Sequence, residues 1–342
     1  MNRRSLNGQS LSGIEASPLG VVASVVIGGL LVLSFVDHPG LFVDQAIGGL
    51  VYGMILVLIA LGLSIILGLL GIVNFAHGAL VMLGAYVTFE IMTQIGLSFW
   101  VALVIAPIII GLVGIIIERG VLQFVYDEDP LVGLLATFGL SLMFTELVRA
   151  FWGGGPKGVP LPQALSASAD LGVTTVARFR LFTVIVGALT VLAVYLFIKR
   201  TSFGLSIRAG VLDREMAEFL GINMPIRFMA MFFLGSFIAG LGGVLRGAEV
   251  GMDLGMGEHF IILAFVVVAV GGIGSLFGSV FAGLLIGEAQ YLTPVVLRTL
   301  ATVTGIQWLA VPGIDGLVPY LVMIVVLLVR PRGLFGQEGF LE

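Results

Sequence analysis

Long apolar runs without a single charge alternate with short polar connections along this chain. Residues 46–70, 98–117, 181–198, 228–245 and 260–287 carry no Asp, Glu, Lys or Arg. A bilayer core of ~30 Å is crossed by ~20 apolar residues of helix. Five such runs, with shorter companions, predict an all-α polytopic membrane helix bundle. The expected helices cover 18–36, about 44–70, about 76–95, 98–117, about 131–152, 181–198, 228–248 and about 317–330. Residues 260–292 fit two short helices that meet near Gly271–Gly274. This makes about ten crossings, or eight or nine if the short, discontinuous pieces re-enter. The stretch 18–36 reads as the first membrane helix, being long for a signal-peptide core and lacking a small-residue cleavage site.

Lys and Arg favour the cytoplasmic side of short loops. Arg3, Arg4, Arg119, Lys199, Arg200, Arg208, Arg214, Arg227, Arg330 and Arg332 are ten of the sixteen basic residues, and one topology puts them all inside. Both termini are then cytoplasmic, as tails 1–17 and 336–342 around a transmembrane domain 18–335. Residues 199–227 form the main cytoplasmic loop and 153–180 an outer loop. In the outer loop Gly153, Gly154, Gly155, Pro156, Pro160 and Pro162 disfavour helix. Trp100, Trp152 and Trp308 fall at outer ends, as an interfacial belt requires.

Composition supports the membrane class. Hydrophobic residues make up 59% and charged residues 11%, against about a quarter charged in soluble domains. With no cysteine there is no disulfide framework and no thiolate metal site. Three histidines at unrelated depths (His38, His77, His259) make no metal site either. No His-Glu-x-x-His or Gly-x-Ser-x-Gly pattern suggests an enzyme. No basic tract suggests nucleic acid.

Within 199–227, Ile207, Val211, Leu212, Met216, Phe219 and Leu220 recur at helical spacing among Arg208, Asp213, Arg214, Glu215 and Glu218. Gly221 is a natural stop. The expectation is one short amphipathic helix. It either lies on the membrane surface or docks into a groove on a soluble partner, which its mixed charge suits.

Two places break the apolar pattern inside the bundle. One is Gly71-Ile72-Val73-Asn74-Phe75-Ala76-His77-Gly78. The other is Gly271-Gly272-Ile273-Gly274-Ser275. Freed backbone groups are tolerated at membrane depth only when buried in protein or lining a wet cavity, and broken helices in both halves of a chain mark a transport path. Asn74 and His77 either cap the next helix or line such a path. Glu90, Glu146 and Glu288 lie in or near helices, and each is either a path residue or a helix-end residue reaching headgroups. The recurrent glycines, such as Gly240, Gly242 and Gly243, read as close helix packing. Candidate path residues are thus Asn74, His77, Gly271, Gly272, Gly274 and Glu288.

Three segments carry a resemblance. The first runs from Tyr52-Gly53-Met54 through Ala60-Leu61-Gly62-Leu63, Val73-Asn74-Phe75-Ala76-His77-Gly78 and Met82-Leu83-Gly84-Ala85-Tyr86. The second holds Thr201-Ser202-Phe203-Gly204, Ile207-Arg208-Ala209, Asp213-Arg214-Glu215 and Leu220-Gly221-Ile222-Asn223. The third is Val270-Gly271-Gly272-Ile273-Gly274-Ser275 with Gly278 and Gly283. Together they resemble the permease subunits of branched-chain amino acid ATP-binding-cassette importers over roughly residues 42–335.

The resemblance implies a second, related permease, two cytoplasmic ATPase subunits and an external solute-binding protein, in the plasma membrane of a prokaryote. ATP would be bound by the partner subunits, with no cofactor in this chain. The sequence itself has no Gly-x-x-x-x-Gly-Lys-Ser/Thr phosphate loop. Arg208, Asp213, Arg214 and Glu215 would meet the ATPase surface. Branched-chain or other hydrophobic amino acids are the implied solutes. Permeases for urea and short amides look similar in the same segments and form the alternative. A self-sufficient carrier or channel, which needs no coupling loop, is the reading from another class.

Overall fold

A computed structural model describes residues 18–336 except 72, 127 and 311. The terminal segments 1–17 and 337–342, with Arg3 and Arg4, lie outside the described residues. Ten of the helices are apolar enough to belong in a bilayer. They are α1 (Pro18–Asp37), α2 (Pro39–Leu70), α3 (Ala76–Thr93), α4 (Phe99–Gly120), α5 (Pro130–Trp152), α7 (Arg178–Arg200), α10 (Met224–Val250), α11 (Met256–Gly271), α12 (Leu276–Thr304) and α13 (Val318–Val329). Seven of them are long and apolar enough to cross unaided, and α11, α13 and the Gly28–Asp37 part of α1 are shorter apolar segments. Three further helices are short: α6 (Gln163–Ser166), α8 (Ser202–Leu212) and α9 (Arg214–Phe219). The chain is therefore the polytopic all-α bundle that its apolar runs predict.

The bundle is built around α2. Every residue from Val51 to Leu67 is buried, and α12, α10, α7 and α11 surround it. The same helix defines two ends of the molecule, an Asp44 end and a Gly71 end. Contacts along α2 run in strict order: Gly49 faces Glu288, Gly53 faces Gly283 and Gly68 faces Gly274. Ser64 and Ser279 share a hydrogen bond of 2.5 Å. Hence α12 is antiparallel to α2 throughout. Glycine permits this approach, since a Cβ on Gly53 would stand 3.0 Å from the Gly283 carbonyl oxygen. The glycines thus act as close-packing residues.

The peripheral helices carry apolar stripes outward. On α7, Ile185, Leu189, Leu192 and Leu196 are exposed, and on α5, Leu131, Leu135, Phe138 and Leu142. Steps of three and four residues put each set on one helix face. Exposed leucine at that spacing is what a lipid solvent allows and water would not.

Four boundaries differ from the sequence expectation. Helix α2 starts at Pro39, five residues before the expected 44, because Asp44 is paired inside the helix with Arg180 at 3.2 Å. Residues 260–292 do hold two helices joined at 272–275, but the second is not short: α12 runs for 29 residues and carries Pro294 within it. The segment after α5 is not featureless. It contains α6 and an antiparallel hairpin of β1 (Ser168–Asp170) and β2 (Thr175–Ala177), and it ends where α7 begins at Arg178. The single amphipathic helix of 199–227 is two helices. Asp213 ends α8 and also caps α9, accepting a hydrogen bond from the Met216 N–H at 2.9 Å. Gly221 follows with φ +84°, the left-handed geometry a stop residue supplies.

Candidate translocation site

The break between α2 and α3 begins at the Gly71 end and runs back into the bundle. Gly71 closes α2 in the left-handed region at φ 65°. The chain then turns back alongside α2 without helix until Ala76. Thr137 of α5 takes over the lost backbone partners: its Oγ1 accepts from the Phe75 N–H at 3.2 Å and lies 3.3 Å from the Val73 carbonyl oxygen. The His77 Nε2 lies 2.9 Å from the Ile59 carbonyl oxygen. A carbonyl only accepts, so Nε2 holds the proton. Ile59 is eleven residues before the end of α2, about 16 Å of helix. His77 therefore lies within the membrane-spanning body, not in a turn at its surface.

Asn74 and His77 are fully buried. Neither the Asn74 amide nitrogen nor its oxygen has a hydrogen-bond partner, and His77 Nδ1 has none. Asn74 does not cap α3, whose N-cap is Phe75 with no side-chain hydrogen bond. Each orphaned buried polar group costs roughly 1–3 kcal/mol. The start of α11 adjoins this place, since a Cβ on Gly257 would lie 3.1 Å from the Gly78 carbonyl oxygen. The first turn of α11 thus adjoins the first turn of α3, while Phe75, next to Asn74, meets Phe265 midway along α11 with ring centroids 5.4 Å apart. The arrangement can offer hydrogen-bond donors and acceptors to a polar solute at mid-depth.

The remaining candidates fall elsewhere. Gly271, Gly272 and Gly274 form the α11–α12 turn at the Gly71 end. Gly272 has φ +100°, and residues 334 and 335 close over the turn through Leu334 N–H to Val270 oxygen (2.8 Å) and Phe335 N–H to Gly271 oxygen (3.0 Å). Glu288 is half-buried against Gly49, its Oε2 3.0 Å from where a Cβ of Gly49 would stand. Using α2 as a ruler, Glu288 lies about 15 Å above His77, and the glycine turn about 14 Å below it. The six residues thus occupy three levels. Glu90 accepts from Trp152 Nε1 at 2.7 Å, and Glu146 pairs with Arg149 on an exposed face at 3.4 Å.

A polar network that run-counting passes over lies at the Asp44 end. Arg180 contacts Asp44 at 3.2 Å and Glu249 at 3.8 Å, and Glu249 contacts Arg246 at 3.2 Å. The Arg246 guanidinium also sits 5.3 Å from the Tyr52 ring centroid and 5.8 Å from that of Phe260. In the sequence these residues appear only as the boundaries of apolar runs. A cleft of about 350 Å³ opens beside Arg246, lined also by Tyr52, Gln290 and Tyr291.

At the opposite, Gly71 end, α8 and α9 form an elbow. Gly204, Ile207, Gly210 and Ala217 are its buried residues, while Leu212, Phe219 and Leu220 are 87%, 84% and 75% exposed. Ile207 is therefore not part of the outward ridge expected from spacing. Asp213 and Glu215 are exposed and Arg208 half-buried; the Arg214 side chain lies outside the described residues. Arg227 sits over the Phe203 ring at 4.5 Å and ties the start of α8 to the start of α10.

The chain is thus a polytopic helix bundle with unpaired polar atoms buried beside its α2–α3 break. The family described as branched-chain amino acid transport system, permease component, matches residues 45–327. The chain belongs to that family. Among its relatives, the high-affinity branched-chain amino acid transport system permease protein BraD of Pseudomonas aeruginosa is 29% identical over 308 residues, covering 86% of this chain and 96% of BraD. The permease protein LivH of Escherichia coli (strain K12) is 29% identical over 310 residues, with the same coverage. A probable LivH of Methanocaldococcus jannaschii is 24% identical over 300 residues, 85% of this chain and 91% of that protein. The solved structure of PsaBC from Streptococcus pneumoniae in complex with Fab aligns over 91% of this chain and 97% of that one. Its TM-score is 0.45 at 12% identity, too slight a likeness to build on. All the described motifs of this permease, from Tyr52 to Gly283, fall inside the matched range.

Proposed function

We propose that this chain is the path-forming permease subunit of an ATP-driven importer for branched-chain or other hydrophobic amino acids. The observation that carries the transport reading is the break at 71–77, where Asn74 and His77 hold unpaired polar atoms at mid-depth. A polar solute passing here would relieve the cost of the unpaired Asn74 amide. The relatives named above all bear branched-chain amino acid transport in their names and none bears urea, which favours amino acids over the short-amide alternative.

In this reading the Gly71 end faces the cytoplasm of a prokaryotic plasma membrane, since Lys199, Arg200, Arg208, Arg227, Arg330 and Arg332 gather there. The α8–α9 elbow docks on a cytoplasmic ATPase, with Arg208, Asp213, Arg214 and Glu215 flanking the apolar residues. A second permease subunit, a second ATPase and an external binding protein complete the machine. ATP is held by the ATPases and this chain needs no cofactor. Asn74 and His77 serve the passing solute; Gly272 and Gly274 let the α11–α12 turn pack tightly; Glu288 lies nearer the outer mouth.

The test is reconstitution of the chain with its neighbouring subunits in vesicles. ATP-dependent uptake of leucine, isoleucine or valine that exceeds uptake of urea and acetamide is the expected result. Uptake without ATP and without partners would replace this reading with a self-sufficient carrier.

A further inference from the structure

The cleft at the Asp44 end has a chemistry of its own. Its volume of about 350 Å³ lies at the small end of ligand pockets, which run from roughly 300 to 1,000 Å³. It is lined from three directions: Gln45 and Tyr52 on α2, Arg246 on α10, and Gln290 and Tyr291 on α12, with Asp315 just ahead of α13.

Of the four charged residues in the neighbouring network, Arg246 alone lines the cleft. Its carboxylate partner is shared, because Glu249 stands 3.2 Å from Arg246 and 3.8 Å from Arg180. A guanidinium has five N–H donors in a fixed fork, and Glu249 accepts from one arm. The Tyr52 and Phe260 rings hold the guanidinium in place at 5.3 and 5.8 Å. Arg246 is thus a pre-oriented cation with donors to spare.

The cleft also holds the opposite character. Gln290 Oε1 is buried and has no hydrogen-bond partner. A bare acceptor in such a place is expensive unless a donor arrives. Asp315 adds a carboxylate to the same lining and pairs with no Lys or Arg among the described residues. Tyr52 and Tyr291, with ring centroids 5.6 Å apart, supply a rigid aromatic wall between the two poles.

We propose that this cleft is a loading site for a zwitterionic α-amino acid, with Arg246 taking the carboxylate and Gln290 Oε1 and Asp315 taking the ammonium. The proposal rests on the transport reading and deepens it. It places recognition of the main-chain charges some seven residues of α2, about 10 Å, from the Asn74–His77 break. A solute that brings both charges meets both poles, while one without the carboxylate leaves the spare donors of Arg246 unused and one without the ammonium leaves Gln290 Oε1 bare.

The absence of cysteine from the chain allows a clean test. His259 lines the cleft and is exposed. A His259→Cys reporter in the assembled complex in nanodiscs is modified with a small methanethiosulfonate, and the rate is read by mass spectrometry of this chain's peptide. Leucine should slow the modification saturably. Leucinamide, which lacks the carboxylate, and isovalerate, which lacks the ammonium, should need at least ~10-fold higher concentration for the same protection. Adding Arg246→Gln should remove the preference for leucine over leucinamide, with protection in each variant taken relative to that variant's own unprotected rate. If Arg246→Gln does not assemble, Gln290→Met carries the same comparison through isovalerate. No protection by leucine, or equal protection by all three ligands, overturns the site. ATP-driven uptake is measured in the same preparation. Uptake without protection removes the loading site alone, whereas no uptake of any branched-chain amino acid removes the transport reading and the site with it.

Discussion

Phe219 on α9 offers the sharpest test of ATPase docking. Its side chain is 84% exposed in this chain, so it contributes almost nothing to the bundle. Truncation to alanine should then change the chain's own stability by no more than about 0.5 kcal/mol, the range of ordinary surface substitutions. Docking reverses the expectation. Burying a phenylalanine side chain is worth about 1.5–3 kcal/mol, and nearly all of that surface is still available to a partner. A loss of ~2 kcal/mol corresponds to about 30-fold in affinity. The assay is binding of the purified ATPase subunits to the solubilised chain, with thermal unfolding of the chain alone as control. Weaker binding with an unchanged melt is the expected pair of results. Affinity within twofold of the parent, together with weaker partition of an α8–α9 peptide into vesicles, would show that the elbow lies on lipid instead and would refute the docking argument.

Three further outcomes follow from the same geometry. Arg214→Glu should uncouple ATP hydrolysis from transport while the bundle melts normally; ordinary solute-stimulated ATPase activity in the reconstituted complex would exclude a coupling role. Asn74→Leu removes two orphaned polar atoms, so it should leave stability equal or raise it by roughly 1–3 kcal/mol while uptake falls at least tenfold. Full uptake would take Asn74 off the path. Gly272→Leu should lower both the yield of folded protein and uptake, because a side chain at φ +100° is strained and its Cβ would stand 2.5 Å from the Gly336 nitrogen. Normal expression with normal transport would mean that the turn can open without loss.

The membrane class, the helix inventory and the family-bearing segments are legible in the sequence, because lipid leaves so few alternatives. A charge-free run of bilayer length must satisfy its backbone internally, and in a bundle that means helix. Boundaries were less legible where a charge sits inside a helix. Asp44 and Arg180 look like run ends until each is seen to neutralise the other. The amphipathic loop shows the same limit. Its spacing is helical on both sides of Asp213, and only the cap bond to Met216 marks the division into α8 and α9.

The residue types of the site were decided by the sequence alone: Asn74, His77 and the glycine clusters stand out of an apolar chain. Their depth was not. His77 lies at mid-bundle because the chain folds back after Gly71 to reach Ile59 and Thr137, and the glycine turn lies at an end because residues 334 and 335 seal it. Of the Asp44–Arg180–Glu249–Arg246 network, local periodicity could reach the i,i+3 pair Arg246–Glu249 alone. The links from Arg180 to Asp44 and to Glu249 join α2, α7 and α10, and these depend on distance in space, which local periodicity does not encode.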